Sequence, residues 1–235
     1  MWESNKFASA FTAHPCKKPG YYRCEGVECG DGSQRAQGNC DKDGCDLNPF
    51  RNGNQKFFGP GSNYTIDTTK PMTVVTQFIT SDQTDEGDLE EVKRYYVQNG
   101  KKIPHPATHI DGLGPYSSIS NQHCANQKRV FGESPTFQQK GGMKGMGEAM
   151  KRGMVLVMSI WDDHAAHMLW LDSDFPLEAD PKKPGVKRGP CSRESGKPWE
   201  LEKEHPNATV KFSHIKFGHI GTTVEVESEK TLQTE

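Results

Sequence analysis

Five cysteines, Cys16, Cys24, Cys29, Cys40 and Cys45, fall within thirty residues and are interleaved with Gly26, Gly30, Gly32, Gly38 and Gly44. Thiols this close either hold a metal or staple a loop. A tetrahedral zinc site needs about four thiolate or imidazole donors and usually announces itself by paired C-x2-C knuckles. Here the short spacings are C-x4-C (Cys24 to Cys29, Cys40 to Cys45), and the stretch carries Asp31, Asp41, Asp43 and Asp46. Those residues suit a solvated, disulfide-stapled loop, so no metal is expected. Two sequons, at Asn63 and Asn207, point to the same oxidising, secreted environment and are candidate glycosylation sites. Seven cysteines cannot all pair within one chain, so one is free or has its partner elsewhere.

A length of 235 residues allows one sizeable domain or two small ones. Only 32% of the residues are hydrophobic, against 24 glycines and 15 prolines, which predicts long loops on a limited core. The net charge of -2 gives no reason to expect a nucleic acid or an anionic membrane as partner. No apolar run approaches the roughly 20 residues of a membrane-spanning helix.

The patterned segments read mostly as β. Residues 72–78 (MTVVTQF) are β-branched, 94–103 (RYYVQNGKKI) place Asn99-Gly100 at a two-residue hairpin turn, and 210–217 (VKFSHIKF) alternate in part. Residues 141–153 carry Met143, Met146 and Met150 at i, i+3 and i+7, the stripe of a short core-facing helix. Residues 154–174 (MVLVMSIWDDHAAHMLWLDSD) read as two strands joined by a polar turn. Met154, Leu156, Met158 and Ile160 would form a core face, and the opposite face ends in Ser159, Trp161 and Asp163, as where a strand enters an open groove. Residues 226–235 read as a polar tail behind a domain of residues 1–225.

The segments WESN, HPC, CDKDGCDLNPFRNGNQKFFGPGS, DTTKPMTVVTQF, RYYVQNGK, RGMVLVMSIWDDHAAHMLWLDS, GVKRGPCS and FSHIKFGHIGTT, in this order, resemble the carboxyl-terminal half of cellobiohydrolases of glycoside hydrolase family 7. The resemblance implies an all-β fold, a concanavalin-like β-jelly-roll sandwich present in part, with long loops and few short helices. It implies secretion, a complete protein that is monomeric, cellulose and cello-oligosaccharides as partners, and no cofactor. Met1-Trp2-Glu3 looks like the end of the family's Glu-x-Asp-x-x-Glu motif. Glu3 would then be the acid/base of a retaining hydrolase, with the nucleophile outside this chain, leaving residues 1–235 alone inactive. His14 matches a histidine supporting the catalytic carboxylates. Trp161 and Trp170 match sugar platforms, and Arg35, Asp43, Asp46, Arg51 and Arg188 match polar groove residues. The resemblance also pairs Cys16 with Cys40, Cys24 with Cys29 and Cys45 with Cys124, leaving Cys191 for a cysteine in the other half. The long loop 174–191 favours exo action, while Ala165-Ala166, where bulk often closes the groove, leaves tunnel closure open. An endoglucanase of the family, or a non-catalytic cellulose-binding module with the same groove, is the alternative.

Overall fold

The computed structural model describes residues 1–225; the polar tail expected at 226–235 lies outside them. Strands β1 (Trp2–Ser4), β2 (Ser9–Ala13) and β3 (Cys45–Leu47) form one antiparallel sheet in that order. Two single 3-10 turns, Gly26–Cys29 and Gly32–Gln34, punctuate the cysteine-rich loop between β2 and β3. Two short parallel strands, β4 (Phe58–Gly59) and β5 (Ile66–Asp67), follow. A second antiparallel sheet is built on β7 (Leu89–Gln98), flanked by β6 (Thr73–Thr80) on one side and by β8 (Lys101–Pro104) and β9 (Ser118–Ser120) on the other.

Local chemistry accounts for these elements where the sequence is explicit. The β7–β8 hairpin turns through Asn99 and Gly100 with φ of 54° and 75°, the positive values that a two-residue type I′ turn requires. Helix α1 (Asn121–Phe131) starts where the Ser120 hydroxyl accepts from the His123 amide at 3.2 Å. It stops at Gly132, φ 70°. A short helix α2 (Thr136–Gln139) leads into α3 (Gly142–Lys151). The methionine stripe of α3 faces inward: Met143 is fully buried and Met146 and Met150 pack beside it against Leu89, Val92 and Ile119. Phe11, Ala13, Cys45 and Leu47 from the first sheet complete that core, so it joins both sheets to the helices. Two further short helices, α4 (Leu169–Asp172) and α5 (Pro198–Glu204), follow.

All three implied disulfides are formed: Cys16–Cys40, Cys24–Cys29 and Cys45–Cys124. The last ties β3 to α1 through the core, and Cys191 has no disulfide partner among the described residues.

Two strand expectations are corrected. Residues 154–163 pair with no strand among the described residues, and Val155 and Val157 are 86% and 76% exposed. The predicted core face of Met154, Leu156, Met158 and Ile160 is likewise exposed. The predicted return strand is instead the single turn of α4, entered through His167 and Met168 at positive φ. Residues 210–217 are also unpaired and exposed. Apolar alternation prepares a face, but a strand exists only where a neighbour accepts its backbone hydrogen bonds.

Candidate active site

The register of the first sheet sorts its side chains between two faces. Trp2 lies opposite Phe11, and Phe11 opposite Leu47, which puts these apolar residues on the core side. Glu3 lies opposite Ala10 and Thr12 opposite Asp46, so Glu3, Ala10, Thr12 and Asp46 share the other side. The polar face is thus set by period-two alternation against a buried apolar face.

Trp2 anchors β1. Its indole Nε1 donates to the Ser9 hydroxyl at 2.8 Å, and the buried Arg94 guanidinium of β7 lies 5.7 Å from the Trp2 ring and 4.4 Å from that of Phe11. Burial lowers the Arg94 pKa to about 10, and Nη2 donates to Thr76 Oγ1 at 2.8 Å. The neighbouring Glu3 is half-buried. Burial pushes its carboxyl pKa up, the Met1 amine opposes this, and the Asp46 carboxylate adds to the rise. A carboxyl so placed holds its proton at higher pH than a free glutamate, as a general acid must.

His14 follows β2 on the same side as Thr12. Its Nδ1 lies 2.7 Å from the Asp41 carbonyl, which can only accept, so the proton sits on Nδ1. Burial lowers the ring's pKa and keeps it neutral, leaving Nε2 as an acceptor. Gly44 makes room for this ring: at φ +72°, a Cβ there would stand 2.6 Å from His14 Cε1.

Behind this face lies a charged cluster. Buried Arg51 donates through Nη1 to Asp46, through Nη2 to Glu133 and through Nε to the Gly185 carbonyl at 2.9 Å. Glu133 also accepts from Lys128 Nζ at 2.9 Å and stands 3.7 Å from Arg188 Nη2. Burial would raise both carboxyl pKa values, but the cations outweigh it: Asp46 is held below the usual range, and Glu133 falls to about 2. Burial, reinforced by Arg51, brings Arg188 down to about 10. Asn48 locks the cluster to the chain around it, donating to the Leu171 and Arg188 carbonyls at 2.9 and 3.0 Å and accepting the Phe50 and Arg51 amides. At the rim, exposed Arg35 pairs with Asp43 and donates to the Lys42 carbonyl at 2.9 Å.

Trp161 and Trp170 stand as an offset stack, centroids 6.4 Å apart and planes 22° off parallel. Trp170 packs against Ala8, Ala10 and Leu171, directly over the polar face of the first sheet, and its Nε1 donates to Asp163 at 2.8 Å. Trp161 is about half exposed.

The sequence-derived residues thus divide into groups. Glu3, Asp46 and His14 lie along one sheet face, with Trp170 over it. Arg188 sits behind Asp46, Arg35 and Asp43 form a pair at the rim, and Arg51 is withdrawn, its nitrogens engaged by protein partners. Glu133 and Lys128 went unrecognised in the sequence, and Asp163 was read there only as the end of a groove-facing strand, with no partner assigned. Asp163 carried a signal, two residues beyond Trp161 on one face; Glu133 and Lys128 carried none.

A profile of glycosyl hydrolase family 7 matches residues 1–224. Among solved structures, the chain is similar to a family 7 cellobiohydrolase from Daphnia pulex (53% identity, TM-score 0.93, covering 95% of this chain and 51% of that one). It is also similar to a cellobiohydrolase from Melanocarpus albomyces complexed with cellotetraose (40%, 0.79, 88% and 46%). A third relative is the endocellulase EGI of Humicola insolens (36%, 0.70, 87% and 45%). The chain spans about half the length of these relatives. The likeness gives the fold as the all-β jelly-roll sandwich of these proteins.

Proposed function

The chain belongs to glycosyl hydrolase family 7, and from that premise we propose that it is the part of a retaining β-1,4-glucan cellobiohydrolase that carries the acid/base carboxylate and much of the cellulose groove. The observation that carries this reading is Glu3, a carboxyl with a raised pKa on the polar face of a sheet whose other face is core. Retaining hydrolysis uses two carboxyls about 5–5.5 Å apart. Glu3 would protonate the leaving glycosidic oxygen and later take a proton from the attacking water. The carboxylate that attacks the anomeric carbon matches none in residues 1–235, and in this reading comes from elsewhere in the complete enzyme. Neutral His14 supports the site as an acceptor rather than a charge.

The leaving sugar would be held by stacking on Trp161 and Trp170 and by hydroxyl contacts to Asp46, Arg188, Asp43 and Arg35. Arg51 supports this reading indirectly, by fixing Asp46 and Glu133. The long 174–191 loop is tied across its base by an Asp174–Lys187 bridge, and it favours a cellobiohydrolase over the endoglucanase alternative. Three disulfides and two exposed sequons, Asn63 and Asn207, support a secreted, glycosylated protein. No described helix is long and apolar enough to cross a membrane.

The test is cellotetraose titration of the folded chain, followed by calorimetry. Trp161→Ala and Trp170→Ala should each weaken binding about tenfold, roughly 1.4 kcal/mol, and more than Arg35→Ala does. Equal affinity in wild type and both tryptophan variants would remove the groove. Binding without turnover after an amino-terminal half is restored would favour the non-catalytic module.

A further inference from the structure

Just past Trp161 the chain brings together three side chains that the groove does not use. His164 Nε2 lies 3.0 Å from Glu202 Oε1 of α5 and 3.5 Å from Asp162 Oδ1. The three donor atoms all lie within 4.8 Å of one another. We propose that Asp162, His164 and Glu202 form a binding site for a zinc-like divalent transition-metal ion that clips α5 to the turn following Trp161.

The spacing supports coordination. With bonds of about 2.0–2.1 Å to imidazole nitrogen and carboxylate oxygen, two ligands of a tetrahedral zinc ion stand about 3.3 Å apart. The two distances from His164 fall on either side of that edge. One imidazole and two carboxylates neutralise a divalent ion and leave a fourth position for water.

The frame is also held in place without the ion. Asp163, between two of the ligands, accepts the amides of Ala165 and Ala166 at 2.9 and 3.0 Å and the Trp170 indole at 2.8 Å, so the turn carrying Asp162 and His164 is pinned. On the far side, Trp199 of α5 meets His167 edge-on, centroids 5.4 Å apart. Gly196, φ 74°, comes so close to the His167 carbonyl that any Cβ would collide with it. The segment bearing Glu202 is therefore seated on the turn bearing the other two donors.

A metal ion and protons compete for the same ligand atoms, so an ion held here should be released on acidification. The inference does not rest on the hydrolase reading, and its failure would leave that reading untouched.

The chain, stripped of metal with chelator, is titrated with zinc chloride by calorimetry at pH 7.5 and pH 5, and with cobalt chloride by visible absorption. One equivalent should bind at pH 7.5, with tetrahedral cobalt bands, and affinity should drop at pH 5. His164→Ala and Glu202→Gln should each weaken it by about tenfold or more, while His219→Ala, an exposed histidine outside the cluster, should not. Both substituted side chains are exposed, so unchanged near-ultraviolet circular dichroism confirms that the fold is intact. Zinc bound equally by wild type and both variants would show an adventitious ion only. No isotherm, either with the chain alone or with the chain assembled with an amino-terminal half, would likewise overturn the site.

Discussion

Arg51 and Glu133, 82 residues apart in sequence, form an ion pair in the interior, and the same guanidinium holds Asp46. One cation thus organises a sheet carboxylate and a post-helical carboxylate at once.

Removing it should be costly. Arg51→Ala leaves Asp46 and Glu133 facing each other in a desolvated site, and deleting one partner of a buried ion pair costs about 3–5 kcal/mol. Arg35→Ala deletes an exposed partner of Asp43 and should change stability by less than about 1 kcal/mol. Urea unfolding of the two variants checks the contrast. Similar midpoints would show that Arg51 is not the organiser of the cluster.

The acid side of the stability curve should be steep, and His105 is one reason. Burial, then the nearby Arg94 and His123 charges, lowers its folded pKa to about 3, against about 6.5 in the unfolded chain. Between those values the unfolded state binds the extra proton, so this contribution to stability is complete above about pH 6.5 and is lost progressively as pH falls toward 3. His105 sits among Phe11, Phe57 and Tyr96, so His105→Phe keeps the ring packing and should flatten that limb of the curve. The slope that remains would come partly from His123, whose pKa burial also lowers. An unchanged profile in His105→Phe would refute this assignment.

The Cys45–Cys124 bond closes a separation of 79 residues. In the chain-entropy picture a loop of that size contributes about 4–5 kcal/mol. The Cys45→Ala/Cys124→Ala double variant should therefore unfold at markedly lower denaturant than a Cys24→Ala/Cys29→Ala variant, whose loop spans a separation of only 5 residues. Comparable midpoints for the two would contradict it.

What was legible in the sequence was local or chemical. Asn99-Gly100 specifies its hairpin with two residues, and the methionine stripe specifies a face of α3 with three. The strand-like patterns at 154–163 and 210–217 were visible as well, but pairing is a property of two segments, and neither finds a strand neighbour among the described residues. Glu133 was illegible for a related reason: in Gly132-Glu133-Ser134 it is an ordinary loop carboxylate until Arg51, Lys128 and Arg188 converge on it from three places in the chain. The cluster of Asp162, His164 and Glu202 likewise exists only once α5 folds back onto the turn. Glu3 and the proposed groove residues were readable because eight colinear segments resemble one family; by residue type alone Glu3 would have passed for a terminal surface charge.

Residues 1–235 by themselves should not hydrolyse cellulose. In the proposed role Glu3 gives a proton, but no carboxylate of the chain is matched to the nucleophile, and without covalent capture the oxocarbenium-like transition state has no partner on its other side. The exposed apolar side chains within 154–160 and 210–220 add a second obstacle, because with the unpaired backbone there they are open to other copies and should make the isolated polypeptide prone to aggregation. Cellobiose release from cellulose by a purified monomeric preparation is the measurement. Release that disappears in Glu3→Gln would show that the second carboxylate lies within this chain after all. With an amino-terminal half supplied, turnover should appear in wild type and be absent in Glu3→Gln. Turnover retained in that variant would remove Glu3 from the acid/base role.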